Sequence, residues 1–328
     1  MFSARGGFNY LQPSPSPTPT DATAGWFGGG YGGATPGGKS TVSRITYATD
    51  TATGSTRGPL AVSRGGLSGV GNNGNLTYGW YGGGFPYTCT IDRITYANDT
   101  PAAVTRGPLT SARAYGAGTG TSSFGWWGGG QISPGGVISA ISRLIFATDT
   151  VATTNRGGLA QFTWYLSAVT DKTTYGWFGG GLTPGLSPNL YSNVTRMVYA
   201  TDTVLTTVRT TLSGNRYLLA STSNSTYGWW GGGFVAPAPG AATKSSAVRR
   251  LTFATDTSTS ARGPLVTARS TLAATGNDNY GYFGGGTTST ATVSTVERID
   301  YATDTATAVT KGPLSYTNEG LGANTGIQ

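Results

Sequence analysis

The sequence predicts an all-β protein, a six-bladed β-propeller with four short antiparallel strands per blade, and three recurring phrases predict it. An aromatic-glycine burst, GWFGGG in its first copy, begins at Gly25, Gly79, Gly125, Gly176, Gly228 and Gly281, a spacing of 46 to 54 residues. A second phrase, Arg-x-x-Tyr/Phe-Ala-x-Asp, runs from Arg44, Arg93, Arg143, Arg196, Arg250 and Arg298 to Asp50, Asp99, Asp149, Asp202, Asp256 and Asp304. A third, Arg-Gly-Pro-Leu in three copies, begins at Arg57, Arg106, Arg156, Arg209, Arg262 and, with lysine in place of arginine, at Lys311. Six copies in fixed order fill nearly all 328 residues, so the chain reads as one object rather than as two domains.

Within a copy the period is two. In Thr77-Tyr78-Gly79-Trp80-Tyr81, Tyr78 and Trp80 share one face of a strand, and Gly79 and Tyr81 share the other. A strand apolar on both faces belongs in a sheet covered on both sides. Val42 to Tyr47 reads as the next strand, and Ala48 to Thr51 as a polar turn in which the aspartate caps its own backbone. A Thr/Ala-rich third strand is expected over residues 51–56, and proline then marks a corner. A fourth strand is expected through Ser63 and Arg64 towards the next burst. Helix is nearly absent from this reading, because no apolar 3.6-residue pattern lasts three turns and 54 glycines would weaken one.

A solenoid of such units would expose two apolar ends and need atypical capping copies, whereas here the first and last copies keep the aromatic burst. A ring is therefore expected over 25–328, with blade cores near 25–60, 79–109, 125–159, 176–212, 228–265 and 281–314. The fourth-strand marker falls at Arg64, Arg113, Thr163, Arg216, Arg269 and Asn318, with a surplus copy at Ser3-Ala4-Arg5. Residues 318–326 match Arg269 to Gly276, while the N-terminal copy runs into the alternating prolines Pro13, Pro15, Pro17 and Pro19. The expectation is a closing strand near 316–326 and an extended Pro-rich arm over 1–24. The rival is an N-terminal closing strand with a free C-terminal tail.

The order Leu-x-x-Ala-Arg, then Tyr-Gly-Trp-Phe-Gly-Gly, then Val-x-Arg-Ile-x-Tyr-x-x-Asp resembles the kelch repeat over residues 25–328. One departure is that threonine and alanine stand where the outer strand of a kelch blade usually carries tryptophan. The longer idiom, a triple glycine followed by Arg-Ile-x-Tyr-Ala-x-Asp-Thr-Ala-Thr and Arg-Gly-Pro-Leu, is similar to kelch-like proteins of phages infecting marine cyanobacteria. That resemblance implies a virion structural or adhesion protein such as a fibre, tail or capsid-surface component, with other virion or filament proteins, or a second copy, as partners.

Histidine is absent and Cys89 is the single cysteine, which excludes an intrachain disulfide, His/Cys metal sites and Ser-His-Asp triads. The copper chemistry of some kelch-type propellers needs histidines this chain lacks. Catalysis would rest on 13 carboxylates, and the six repeat aspartates, at equivalent turns, do not converge as a close pair. No metal, cofactor or catalytic residue is expected. The formal charge of +8 invites a nucleic-acid reading, yet 17 of the 21 Lys and Arg, Arg5 included, occupy repeat positions. Once-per-blade arginines are expected as struts to turn carboxylates or carbonyls, and no nucleic-acid partner is expected. The triple glycines lack the Lys-Ser/Thr of a phosphate loop and instead suit close backbone approach. The repeat tryptophans read as core. No signal peptide and no apolar 18-residue run stands in the sequence, and a surface rich in Gly, Ser and Thr suits an extracellular or virion location without membrane insertion.

Function is expected where the copies differ, above all in the connections after each triple glycine, which leave their blades at the same point and so share one face. The rings Tyr31, Phe85, Tyr87, Tyr191 and Phe234 on these connections are the candidate binding residues for a host surface glycan or protein. The sequence favours a non-enzymatic adhesion or assembly module; the alternative is a carbohydrate-binding or carboxylate-based carbohydrate-active propeller.

Overall fold

The computed structural model describes residues 21–32, 37–71, 76–183, 192–236 and 242–327. Residues 1–20 of the expected arm, and Tyr191, lie outside the described residues. Alternating bulky and small residues bounded by Gly, Pro and Asx turns produce short strands, and six sheets of four antiparallel strands result. Sheet I pairs Gly322–Gly326, Ala24–Gly28, Val42–Thr46 and Ser55–Arg57 in that order. Sheet II pairs Ser68–Gly71, Tyr78–Gly82, Ile91–Thr95 and Val104–Arg106. Sheet III consists of Ala117–Gly120, Phe124–Gly128, Ala140–Ile145 and Thr154–Gly158, and sheet IV of Ser167–Thr170, Tyr175–Gly179, Asn193–Val198 and Thr207–Thr211. Sheet V consists of Ala220–Ser223, Tyr227–Gly231, Val248–Thr252 and Thr259–Arg262, and sheet VI of Ala273–Gly276, Tyr280–Gly284, Val296–Asp300 and Val309–Lys311.

Two small accessory sheets add to these, Gln131–Ser133 with Gly136–Val137, and Arg216–Tyr217 with Phe234–Val235 and Thr243–Lys244. Among the described residues, helix is limited to three-residue 3-10 turns such as Tyr47–Thr49. The all-β, mostly four-stranded antiparallel architecture expected from the sequence is thus present. Two strands sit later than expected. The third is Ser55–Arg57 rather than 51–56, because Thr51 to Gly54 completes the turn. The fourth is Ser68–Gly71, because the Arg64 marker is spent anchoring the approach to it and lies outside the strand.

The first strand of each sheet packs beside the first strand of the next: Gly322–Gly326 by Ser68–Gly71, then Ala117–Gly120, Ser167–Thr170, Ala220–Ser223 and Ala273–Gly276, which again meets Gly322–Gly326. The arrangement is propeller-like. Among the described residues no sheet closes on itself, and each four-stranded sheet leaves its fourth strand at an edge.

The aromatic strand clamps both neighbours at once, as its two apolar faces require. Trp26 stacks on Tyr96 of sheet II at 4.3 Å between ring centroids, and Trp80, Trp126, Trp177 and Trp229 stack likewise on Phe146, Tyr199, Phe253 and Tyr301. On the opposite face, the Tyr81 hydroxyl donates to the Trp26 carbonyl at 3.1 Å, reaching back to the preceding sheet. A Cβ on Gly28 would meet the Tyr81 ring, so the glycine ending each aromatic strand is the seat for that ring.

The repeat aspartates correct the sequence reading. Each carboxylate turns away from its own turn and accepts from the preceding sheet. Asp99 takes the Trp26 indole N–H at 2.7 Å and Arg44 at 3.0 Å, with Arg57 at 3.5 Å. Asp149 takes Trp80, Arg93 and Arg106 in the same way, and Asp202 takes Trp126, Arg143 and Arg156. A carboxylate buried to this depth is stable only with charge-assisted donors, and the three donors outweigh a local turn bond. The arginines are struts between sheets, as expected from the sequence.

A further close approach explains the Gly in Arg-Gly-Pro-Leu. A Cβ at Gly58 would overlap the Pro101 carbonyl of the next turn, and one at Gly107 the Val151 carbonyl. The fourth copy reads Arg209-Thr-Thr-Leu, and in the turn it faces Asp256 is the repeat aspartate with positive φ, +39°.

Candidate functional site

The site is built on the segment that leads into each first strand. Arg64 is fully buried, and its guanidinium donates to the carbonyls of Gly83 (2.6 Å) and Tyr81 (3.0 Å) and pairs with Asp92 at 2.7 Å. Arg269 does the same against Phe283, Gly285 and Thr295, with Glu297 at 3.5 Å. Arg113 has no carboxylate partner among the described residues; it donates to the carbonyls of Gly129 and Ala140, and burial pushes it down to about 10, so it stays charged at neutral pH. These planar forks fix the backbone two residues later.

At that point the six copies join hands through the main chain. Tyr115 N–H donates to the Gly66 carbonyl, Tyr165 to Tyr115, Leu218 to Tyr165, Thr271 to Leu218, Gly320 to Thr271, and Gly66 to Gly320, at 2.6 to 2.9 Å. All six residues have φ between +55° and +65°. Left-handed backbone costs about 1 kcal/mol or more for a residue with a Cβ, and the ring of hydrogen bonds over-determines it here. The ring surrounds a depression of about 70 Å³ floored by leucines, including Leu166 and Leu272. Beneath it, between the first strands, runs a cavity of about 190 Å³ lined by hydroxyls and amides such as Ser167, Ser221, Thr222 and Asn324.

The rim around the depression is uneven. Two adjacent copies carry Gly66 and Gly320, and the two copies that follow Gly66 around the ring carry Tyr115 and Tyr165. Tyr115 and Tyr165 lie 4.7 Å apart, Trp164 stacks on Tyr165 at 3.9 Å, and Tyr165 lies 6.4 Å from Tyr217. On the other side Thr271 donates its hydroxyl to Glu319 at 3.0 Å. Burial pushes the phenols of Tyr31, Tyr115, Tyr165 and Tyr217 up, so they are neutral donors and acceptors at ordinary pH.

Four of the five sequence candidates fall on or next to this rim. The hydroxyls of Tyr31 and Tyr115 lie 3.0 Å apart. Phe85 is exposed, packs edge-on against Tyr87 at 5.4 Å, and pairs its backbone with Gly65. A Cβ on Gly65 would meet the Tyr31 ring, so Tyr31 and Phe85 share that glycine. Phe234 stacks on Tyr217 at 5.1 Å and carries Lys244 over its face. The structure therefore links Phe234, Tyr217, Tyr165, Tyr115 and Tyr31 in one arc. Sequence reading missed Tyr115, Trp164, Tyr165 and Tyr217, which follow the Arg64-type marker; the available signal was that these two positions vary among copies while the marker is arginine in four copies and the residue after them is leucine in five.

Rings, neutral hydroxyls and one carboxylate make a surface for non-covalent recognition. Among the described residues no cluster of three His, Cys, Asp or Glu could hold a metal ion, and no helix is long and apolar enough to cross a membrane. Fold and site define the chain as an all-β repeat protein that carries an aromatic rim at the meeting point of its six sheets. No protein-family model matches it, and no curated protein matches it.

Proposed function

We propose that the chain is a six-bladed, kelch-type β-propeller over residues 25–328 that serves as a non-enzymatic recognition module, mounted on a virion and facing its host. Its strand near 316–326 closes the ring, and the residues ahead of Ala24 form the attachment arm. The observation that carries the recognition role is the continuous aromatic arc from Phe234 to Tyr31, set on a ring of six backbone hydrogen bonds. Rings held this rigidly lose little freedom on binding, so a few of them supply most of the energy. The virion setting rests on the resemblance of the repeats to phage kelch-like proteins. The struts consume the repeat carboxylates, which leaves the rim and not a catalytic pair as the chemistry on display. Binding of the fluorescently labelled chain to marine cyanobacterial cells tests the reading. Replacing Phe85 and Tyr87 by Ser is expected to weaken cell binding several-fold with the melting temperature unchanged; equal binding by the parent, this variant and Tyr165→Asn overturns it.

A further inference from the structure

We infer that the aromatic arc, together with Glu319 and Thr271 on the same rim, is a carbohydrate site that takes a polymer of uncharged sugar rings. This rests on the recognition reading and adds the chemical class of the ligand.

The rim is asymmetric although the six copies beneath it are alike. Six equivalent positions surround the depression, yet bulky rings occupy consecutive ones and glycine or a small hydroxyl residue with its acidic neighbour occupies others. A sugar ring has the matching polarity: C–H groups across its face and hydroxyls around its edge. The face suits the half-buried ring of Trp164, which Tyr165 backs by stacking, while edge hydroxyls donate to the Glu319 carboxylate and exchange bonds with the phenols. Few charged groups at the rim also suit an uncharged chain.

Shape then argues for a polymer. The depression, about 70 Å³, is too shallow to enclose a sugar, so the ligand lies across it, and the arc continues past the depression to Phe234 on one side and Tyr31 on the other. A cage for an organic cation needs rings set as walls. Here Trp164 and Tyr165 stack on each other, 25° between planes, which is not the arrangement of two walls facing across a gap. Glu319 is already engaged by Thr271, which suits an acceptor shared among hydroxyls.

Trp164 supplies the readout. The other seven of the eight tryptophans are at most 1% exposed, and Trp164 alone is half-buried, so quenching by acrylamide reports on the rim. The probes are hexasaccharides of glucose, galactose, mannose and N-acetylglucosamine, with tetramethylammonium as the cation control. At least one hexasaccharide is expected to protect Trp164. Tyr165→Asn, chosen because asparagine tolerates φ near +60°, is expected to raise its Kd about tenfold or more. Glu319→Gln is expected to raise it less. Protection by tetramethylammonium alone, or by no probe at about 10 mM, overturns the proposal. Where cell binding falls in Tyr165→Asn but no hexasaccharide competes, the ligand class is wrong and the recognition reading stands. Where cell binding ignores every rim variant, both fall.

Discussion

Tyr282 donates its hydroxyl proton to the Asp50 carboxylate at 3.1 Å, the same carboxylate that takes Arg298 at 2.8 Å and Lys311 at 3.1 Å. The sixth copy therefore reaches the first as every other copy reaches its successor, with tyrosine in place of tryptophan and lysine in place of arginine. Tyr282 also stacks on Tyr47 at 4.6 Å, as Trp26 stacks on Tyr96. Side chains and main chain agree on this join, since Gly322–Gly326 pairs along the whole of Ala24–Gly28.

The first prediction concerns that strand. Deleting residues 316–328 removes the partner of Ala24–Gly28 and the Leu321 side chain packed in the core between sheets VI and I. It leaves an open strand edge beside apolar surface, a template for association. The expected outcome is loss of a cooperative thermal transition by calorimetry and aggregated material on size exclusion. A truncated chain that melts like the parent would show that the join contributes little.

A second prediction takes the clamp itself. Trp177 is fully buried, stacks on Phe253 at 4.2 Å and donates to Asp256 at 3.2 Å. Trp177→Ala is expected to cost about 3–5 kcal/mol, the range for large-to-small changes in a core. Urea denaturation gives the value, and a loss below about 1 kcal/mol would mean that the neighbouring sheets collapse onto the space.

The third prediction comes from a pattern that runs between copies. Tyr199 and Thr119 share a hydrogen bond at 2.7 Å, Tyr301 and Thr222 another at 2.7 Å, and Tyr47 reaches Thr275 at 3.0 Å. Where the tyrosine is Phe146 or Phe253, the facing residue is Val70 or Val169. Tyr199→Phe alone is expected to cost about 1 kcal/mol by stripping a partner from a buried hydroxyl. Adding Thr119→Val should recover most of that loss, and a double-mutant cycle reads the coupling. Strict additivity would mean that the hydroxyl pair is incidental.

That pattern marks how far the sequence could be read. Strand order and the arginine struts were legible because each copy repeats them, and repetition separates structure from accident. The partner of each aspartate was not, because Asp99 meets Trp26 and Arg44 across more than a full copy, while a turn bond to its own backbone looked nearer. The rim was half legible. Tyr31, Phe85 and Phe234 stand on visibly variable connections, but Tyr115 and Tyr165 sit where a strand was expected. Only left-handed backbone, held by the six-membered ring of hydrogen bonds, turns them outward.

The last prediction is alkaline instability, and it follows from phenols rather than acids. Tyr47, Tyr81, Tyr96, Tyr199 and Tyr301 are buried, and desolvation pushes each well above the ordinary tyrosine value; the hydroxyl bonds of Tyr47 and Tyr199 to threonines oppose this only in part. In the unfolded chain the same groups ionise near pH 10. Below that pH both states keep the protons, and the stabilisation is fully present. Above it the unfolded state binds fewer protons than the folded one, so stability falls as pH rises. Melting temperatures from calorimetry are expected to drop steeply above about pH 10, with absorbance at 295 nm rising together with the loss of structure. Tyr47→Phe is expected to make that decline shallower, because one raised phenol is gone. If the buried rings instead ionise near pH 10 while the chain remains folded, water reaches the interface between sheets, and the packing of Trp26, Trp126 and Trp229 against their tyrosines is looser than the stacking distances require.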